Sequence, residues 1–399
     1  LAALATADDL RVALEGLSTI GAGGVVVTKS ARVGTADTYK VTFSEALSLS
    51  GAPNIVIVTA LTGGAGTAEV TETTAAENEI SNLVKVRSFD LAQLSWAGGT
   101  MVDTAPHGPL AMHSSVSWRD EEGAWQLTSF GGCQDLYGNN QGCQNDVDKT
   151  TTIDLNTGDW SVALITGTAP SARHGHTAVS WTDASGAPKM TVFGGRTGYS
   201  TYLKDTYTLT LTLNVWSRTG MAAEPYARVH HSAVSWQNQS AWIMTIYGGE
   251  DEHSWAVLSA RDDVHHLNLL DGTWSGAVNT TSSTEAVPPA RSEHSAVSWI
   301  NESGAWKMTI FGGESGTGLA HVIFGDVFTL DLATGVWNEV VSATPETDPR
   351  ARRMHSAISW SDRASGAPKM TVFGGAYKTG PIVETNLRDV RTMDLTTGV

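Results

Sequence analysis

The chain has 399 residues, of which 41 are glycine, and only 17% are charged. Its formal charge of −16 at pH 7 argues against nucleic acid and against anionic membrane surfaces as partners. No apolar run reaches the roughly 18 residues of a membrane-spanning helix. The length favours two domains, and abundant glycine with few charges is typical of a turn-rich all-β protein.

The chain begins with a predicted amphipathic helix at residues 6–17. Thr6 is a suitable N-cap, and the aspartates that follow it place negative charge in the first turn, where the helix dipole favours it. Leu10, Leu14 and Leu17 form one apolar stripe, which predicts that this face packs against other elements.

Four β-rich segments separated by Gly, Ser and Pro come next. They are residues 25–28, 39–43, 55–59 and 68–73. With the helix, they resemble an immunoglobulin-like β-sandwich of the kind found in secreted surface proteins of microbes and algae. We therefore expect a first domain at residues 1–82 that ends in a polar linker.

A second domain is predicted at residues 83–399, because three motifs recur there in the same order. The first motif is Arg-x-x-His-Ser/Thr-Ala-Val, the second is Met-Thr-Val/Ile-Phe-Gly-Gly, and the third is Leu-Asp-Leu-x-Thr-Gly-x-Trp. All but one of the 14 tryptophans follow this repeat. The Gly-Gly pairs begin at Gly131, Gly194, Gly248, Gly312 and Gly374. The aligned histidines are His113, His176, His231, His294 and His355.

These motifs resemble kelch repeats, which form the blades of β-propellers. The resemblance implies four meandering strands per repeat and an all-β, kelch-type propeller. Residues 83–100 match the third and fourth strands of a blade, and the chain stops after the third strand of the fifth repeat. Two strands, four blades of four and three strands make 21, whereas five blades need 20 and six need 24. The number of blades is therefore left open between five and six.

The repeated arginines and histidines are interpreted as packing groups that tie neighbouring blades together. An active site needs unlike groups that converge once, whereas these side chains recur at the same phase in every repeat. The first repeat has Leu110 in place of the arginine. The arginines are Arg173, Arg228, Arg291 and Arg352.

The only two cysteines, Cys133 and Cys143, share a loop rich in Gly and Asn. Such turn-forming residues allow the two ends to meet, so we predict a disulfide bond, with a pair of free thiols as the alternative. A disulfide would place the protein outside the cytosol. Three Asn-x-Ser/Thr sequences, at Asn238, Asn279 and Asn301, are candidate glycosylation sites and favour the same location.

The least repetitive loop contains a weak candidate metal site. Its histidines and acids, His253, Asp262, His265 and His266, could gather a divalent cation, although a polar surface loop is the simpler interpretation. No catalytic triad, phosphate-binding loop or cofactor motif occurs, so we expect neither a cofactor nor enzymatic activity.

These patterns favour a secreted structural protein of an extracellular fibre or surface layer. Its partners would be copies of itself or other surface proteins, joined head to tail, with glycans as a further possibility. The first alternative is a propeller that binds or modifies carbohydrate at its central mouth. The second is an intracellular kelch adaptor, which the cysteine pair and the Asn-x-Ser/Thr sequences disfavour.

Overall fold

The computed structural model describes six strands between residues 25 and 96, and then residues 110–398 with gaps. The gaps are 135–147, 163, 199, 221, 239–240, 252–259, 284–285, 317–320, 341–349, 364 and 379–383. The predicted helix at residues 6–17 lies outside the described residues. The chain divides into two compact units, residues 1–83 and 84–399.

The first unit contains a four-stranded antiparallel meander in sequential order. Its strands are β1 (Val25–Lys29), β2 (Asp37–Phe43), β3 (Val56–Leu61) and β4 (Glu69–Glu72). The four predicted strands are therefore confirmed. The second sheet that an immunoglobulin-like sandwich requires is not among the described strands, so that resemblance stays a prediction.

The second unit opens with a hairpin of β5 (Phe89–Asp90) and β6 (Ser95–Trp96). Blade 1 consists of β7 (Ser114–Arg119), β8 (Trp125–Phe130), β9 (Thr150–Asp154) and β10 (Trp160–Val162). Blade 2 consists of β11 (Thr166–Gly167), β12 (Thr177–Thr182), β13 (Pro188–Phe193), β14 (Arg196–Thr197), β15 (Thr201–Tyr202), β16 (Thr206–Thr210) and β17 (Val215–Thr219).

Three more blades follow. Blade 3 consists of β18 (Ser232–Gln237), β19 (Trp242–Tyr247), β20 (Val264–Asn268) and β21 (Thr273–Ala277). Blade 4 consists of β22 (Thr281–Ser282), β23 (Ser295–Ile300), β24 (Trp306–Phe311), β25 (Glu314–Ser315), β26 (Val322–Ile323), β27 (Val327–Asp331) and β28 (Val336–Glu339). Blade 5 consists of β29 (Ser356–Ser361), β30 (Pro368–Phe373), β31 (Ala376–Lys378), β32 (Glu384–Asn386) and β33 (Val390–Asp394).

Blades 1 to 4 each contain a four-stranded antiparallel meander, and the described main sheet of blade 5 has three strands. The first strands, β7, β12, β18, β23 and β29, contact one another in succession. They are therefore the innermost strands around the axis of the array. This arrangement confirms the predicted all-β kelch-type propeller fold.

The hydrophobic cores lie between blades because the second strand of a blade buries both of its faces. In β13, Met190 and Val192 point toward blade 1, whereas Phe193 points toward blade 3. This two-sided burial follows from the period of two along a strand. Each of the four described cores combines residues from two adjacent blades.

Within the described part of the chain, no helix has the length and apolar character required to cross a bilayer.

Candidate functional site: the charged rim of the propeller

Each of blades 2 to 5 buries one arginine that holds the blade itself together. Arg228 is 0% exposed; it donates to the carbonyl of Gly248 at 2.9 Å and forms a two-point ion pair with Asp263 at 2.7 and 2.8 Å. The glycine follows the second strand and the aspartate precedes the third, so this side chain joins strands of one blade. The equivalent pairs are Arg173–Asp205, Arg291–Asp326 and Arg352–Asp389.

The arginine backbone, rather than its side chain, reaches the neighbouring blade. The carbonyl of Arg228 accepts a hydrogen bond at 2.8 Å from the amide of Gly195 in blade 2. The expectation that the arginine side chains tie blades together therefore needs revision. A guanidinium directed along its own blade satisfies its donors with a local carboxylate and carbonyl, as burial requires.

The repeated histidines do contact the preceding blade. His231 Nε2 lies 2.7 Å from the hydroxyl of Thr177, and its ring packs edge-on against Phe193 at 5.4 Å. Burial lowers the pKa of His231 well below its usual range, and the charge of Arg228 adds to this effect. The imidazole is therefore neutral at pH 7. The equivalent contacts are Ser114–His176, Ser232–His294 and Ser295–His355.

The two glycines of each Gly-Gly pair serve different contacts. A Cβ on Gly248 would lie 2.6 Å from the carbonyl of Arg291 in the next blade, whereas a Cβ on Gly249 would lie 2.8 Å from Cβ of His231 in its own blade. Both residues also have positive φ, which favours glycine. The pairs therefore allow close packing between blades.

One end of the innermost strands is encircled by residues in the left-handed backbone region. We call these five residues the rim ring, and each occupies the third position of an Arg-x-x-His motif or its equivalent in blade 1. They are Met112, Gly175, His230, Glu293 and Met354, with φ between 55° and 63°. The amides of the last four each donate a hydrogen bond to the carbonyl of the preceding member at 2.9 to 3.0 Å. This series of hydrogen bonds fixes the backbone, while the side chains differ from blade to blade.

The rim ring carries a network of ion pairs across blades 3, 4 and 5. Arg353 contacts Glu293 at 2.6 Å and Glu314 at 3.1 Å, and His230 Nδ1 lies 3.3 Å from Glu250 and 3.7 Å from Glu293. We call these five residues the charged rim cluster. Unlike the buried arginine–aspartate pairs, this cluster occurs once, so it is the strongest candidate site among the described residues.

Two further contacts, one from a loop and one from blade 2, extend the charged rim cluster. His321, in the loop that follows β25, forms an ion pair with Glu314. On the other side, Arg196 lies within 3.3 Å of His174 Nε2 and adds positive charge next to Glu250. The polar surface therefore reaches from blade 2 to blade 5.

Burial and charge shift the protonation of the charged rim cluster. Burial raises the pKa of Glu293 to about 7, although the charges of His230 and Arg353 oppose this shift. Burial alone would lower the pKa of His230, but the nearby carboxylates of Glu250 and Glu293 outweigh it and raise the pKa. Both groups therefore bind protons more tightly in the folded protein than in the unfolded chain.

Sequence reasoning missed this cluster because it concentrated on residues that repeat. The residues that indicate this cluster are those that differ between repeats. The third position of the Arg-x-x-His motif and the residue after Gly-Gly vary in charge between repeats, as at His230, Glu293, Glu250 and Glu314. In a repeat protein, such variable charged positions beside invariant ones indicate a surface that the fold itself does not require.

The described members of the predicted metal group do not form a metal site. His265 and His266 are adjacent in β20, so their side chains point to opposite faces of the strand. His265 Nε2 lies 2.9 Å from Asp263, whereas His266 Nδ1 contacts the hydroxyl of Thr245 at 2.8 Å. Asp262 is exposed, and His253 lies outside the described residues. Nowhere in the described residues do three His, Cys, Asp or Glu side chains form a group suited to a metal.

A groove of about 410 Å³ lies between blades 3 and 4, away from the rim ring. His266 lines it where the other blades have a threonine, and burial lowers the pKa of His266 to about 4. Beside the groove, β21 contains an extra residue near Gly276, which shifts its register on β20. Its lining is mostly apolar and includes Trp236.

The remaining predicted sites can be placed only in part. Cys133 is 1% exposed, and Cys143 lies outside the described residues, so the disulfide stays a prediction.

Asn238 and Asn279 are exposed and Asn301 is half-buried. The amide oxygens of Asn238 and Asn301 accept backbone hydrogen bonds in turns between first and second strands. Glycosylation of these residues also stays a prediction.

Comparison with known proteins agrees with this geometry. The model of the KLHDC2/KLHL20/DRC7 kelch-repeats domain matches residues 112–375. Host cell factor homolog hcf-1 of Caenorhabditis elegans is 27% identical over 60% of this chain and 29% of its own length. Human host cell factor 1 is 25% identical over 60% of this chain and 11% of its own length. The chain therefore matches less than a third of either relative.

Two further similarities were found. Kelch domain-containing protein 10 of Rattus norvegicus is 29% identical over 55% of this chain and 48% of its own length. The solved structure of YjhT aligns with a TM-score of 0.50 at 13% identity, covering 94% of this chain and 92% of that protein. The structural likeness at this identity supports the fold alone.

The relatives contradict the predicted extracellular location. Host cell factors and kelch domain-containing protein 10 are nuclear or cytoplasmic proteins, which points away from secretion. The prediction depended on one pair of cysteines and on short sequons, which arise by chance in a chain rich in serine and threonine. Neither feature outweighs the relatives.

The structural findings and the family match now agree. Five blades carry the repeated motifs, their cores lie between blades, and the matched domain covers most of these blades. The chain belongs to the kelch-repeat β-propeller family.

Proposed function

We propose that this chain is a non-enzymatic protein-interaction module and that the charged rim cluster contacts its partner. Kelch propellers act in protein–protein interaction, and the kelch relatives are mostly interaction modules without enzymatic activity. The observation that carries the proposal is that His230, Glu250, Glu293, Glu314 and Arg353 form a single unlike group on an otherwise repetitive scaffold.

The acidic character of the chain favours a basic partner. The chain as a whole has a formal charge of −16, and the charged rim cluster contains three carboxyl groups beside one guanidinium and the imidazole of His230. Glu250 and Glu314 keep about 15% and 14% of their side-chain surface exposed, so a bound segment can reach them. Electrostatic complementarity of this kind gives an interface its specificity and a fast association rate. We therefore expect the partner segment to be rich in lysine and arginine.

Peptide binding to variants in which rim glutamates are replaced by glutamine tests this proposal. Fluorescence anisotropy would compare labelled 12-residue peptides rich in Lys and Arg with peptides rich in Asp and Glu. We expect the wild-type chain to prefer the basic set, and Glu250→Gln with Glu314→Gln to weaken that binding by roughly ten-fold. Glu302→Gln, at an exposed turn of blade 4, is the matched control. Equal losses in the control and the rim variant would contradict a specific role of the rim.

Two finer functions from the sequence remain predictions. Head-to-tail assembly of copies would require an interface that the contacts of one chain do not test. Carbohydrate binding at the central mouth would require a platform of exposed aromatic rings, whereas the charged rim cluster contains none. Of the two, assembly is closer to the proposed role because it also acts through protein contacts.

A further inference from the structure

The groove between blades 3 and 4 lies where the chain departs from its own repeat, and we call it the His266 groove. Opposite His266, the fourth strand of blade 3 has one extra residue, because Leu267 pairs with Trp274 whereas His265 pairs with Ala277. The position of His266 itself is a threonine in the other four blades: Thr152, Thr208, Thr329 and Thr392.

The wall that blade 4 contributes to this groove departs from the repeat as well. Ala333 lines the groove from the turn that follows the third strand. The same position holds a larger side chain in the other repeats: Asn156, Thr212, Leu270 and Thr396. Three departures therefore meet at one groove. The fold itself does not require them, because the other described interfaces between blades form without them.

The hydrogen bonds of Thr245 fix the position of the proton on the His266 imidazole. Thr245 is 0% exposed, and its hydroxyl accepts a hydrogen bond from Trp236 Nε1 at 2.7 Å. The buried hydroxyl proton also needs an acceptor, and His266 Nδ1 lies 2.8 Å away. Nδ1 is therefore the acceptor, so the neutral ring carries its proton on Nε2. Burial lowers the pKa of His266 to about 4, which keeps the ring neutral at pH 7.

The Nε2–H group of His266 is a donor that a ligand can use. No described residue accepts a hydrogen bond from it, and Nε2 is not one of the buried unpaired atoms, so solvent reaches it. Other polar side chains of the lining are engaged within their own turn. Asn268 and Thr273, for example, both donate to the carboxylate of Asp271.

The remaining lining selects against charged ligands. Its apolar part comes from Trp236, Ile243, Val278 and Leu332, and none of the described lining residues is Asp, Glu, Lys or Arg. A charged ligand would lose hydration there without gaining an ion pair. The groove volume of about 410 Å³ lies within the range of about 300 to 1,000 Å³ that is usual for small-molecule sites.

We propose that the His266 groove binds an uncharged small molecule whose apolar ring packs against Val278 and the edge of Trp236, and whose carbonyl oxygen accepts a hydrogen bond from His266 Nε2. This site is separate from the charged rim cluster. Six residues of extended chain, about 20 Å, lead from His230 at the rim to Trp236 at the groove. Replacing rim glutamates should therefore leave binding in the groove unchanged.

Fluorine NMR of a simple probe, 4-fluoroacetophenone, tests the ligand class on the full 399-residue chain. Two matched compounds serve for comparison: 4-fluorobenzoate is charged, and 4-fluorocumene has a similar shape but no hydrogen-bond acceptor. We expect the ketone to bind roughly two- to ten-fold more tightly than either of them, as one hydrogen bond allows. No binding of the ketone, or equally tight binding of either comparison compound, would overturn the proposal.

Variants taken from the repeat itself test the location. His266→Thr restores the residue of the other four blades, so the fold should be kept while ketone affinity falls to that of 4-fluorocumene. Ala333→Leu introduces the residue that blade 3 carries as Leu270 and should abolish binding by filling the groove. Thr396→Leu makes the same change in blade 5 and is the matched control. Undiminished binding by either groove variant, or an equal loss in the control, would show that the probe binds elsewhere.

Discussion

The imidazole of His231 lies 2.7 Å from the hydroxyl of Thr177, and the two residues belong to adjacent blades. The same bond between a neutral histidine and a hydroxyl recurs at all four described interfaces between blades. The stability of the array is therefore coupled to the protonation of residues that lie about one repeat apart in the sequence.

Acid should destabilise the protein through these histidines. Burial lowers the pKa of each one, to about 3 for His355. The unfolded state therefore binds more protons than the folded state between that pKa and about 6.5, so stability rises with pH in this window. We expect the free energy of unfolding to fall by up to about 1.4 kcal/mol per histidine for each pH unit below 6.5.

Urea unfolding at pH 5 and at pH 7 measures this effect. The charged rim cluster opposes it, because the raised pKa values of His230 and Glu293 favour the folded state at low pH. The neutral interface histidines outnumber this pair, so we expect the net loss at pH 5. A protein that is equally stable at both values would show that the interface histidines do not titrate as their burial requires.

Replacing a glycine of a Gly-Gly pair should cost more stability than backbone strain alone explains. Gly248 and Gly186 both have positive φ, but a Cβ would meet the Arg291 carbonyl at 2.6 Å on Gly248 and nothing within 4 Å on Gly186. We expect Gly186→Ala to cost about 1 kcal/mol from strain. Gly248→Ala should cost roughly 1 to 3 kcal/mol more, because blades 3 and 4 must separate. Chemical denaturation measures both, and equal costs would refute the steric argument.

The buried arginines should not tolerate lysine. Arg291 is 0% exposed and fills its donors with Asp326 and the Gly312 carbonyl, a planar geometry that an ammonium group does not reproduce. We expect Arg291→Lys to lower the free energy of unfolding by several kcal/mol, in the range of about 3 to 5 kcal/mol for a broken buried pair. Lys189→Met at the partly exposed ion pair with Asp183 is the control and should cost less than about 1 kcal/mol. Similar losses at the two sites would contradict the assignment.

The two cysteines provide a covalent test that the described residues leave open. We predict a disulfide between Cys133 and Cys143, which would stabilise the chain by roughly 2 to 3 kcal/mol on the loop-entropy model. Intact mass after alkylation of the unfolded chain without reductant decides it. No alkyl group should be added; two added groups would show that both thiols are free.

Much of the fold could be predicted from the sequence because its signals are local. Alternation of apolar residues has a period of two within a strand, and the Gly-Gly pairs mark the turns, so the strands around Phe193 and Phe311 follow from short windows. Because the motifs recur five times, each repeat supports the same strand assignment. The same reasoning located the strands of the first unit, where the alternation is equally clear.

The site required the tertiary structure because its members are far apart in the chain. Arg353 meets Glu293 and Glu314 only because successive blades bring equivalent loops to one rim. Whether a guanidinium such as Arg228 turns toward its own blade or the next depends on which oxygens lie within reach, and no local pattern encodes that choice. The sequence by itself determined the strands, their repeat and the family. The packing of one blade on the next decided the direction of the arginines and the charged rim cluster, since contacts between blades depend on side chains roughly one repeat apart.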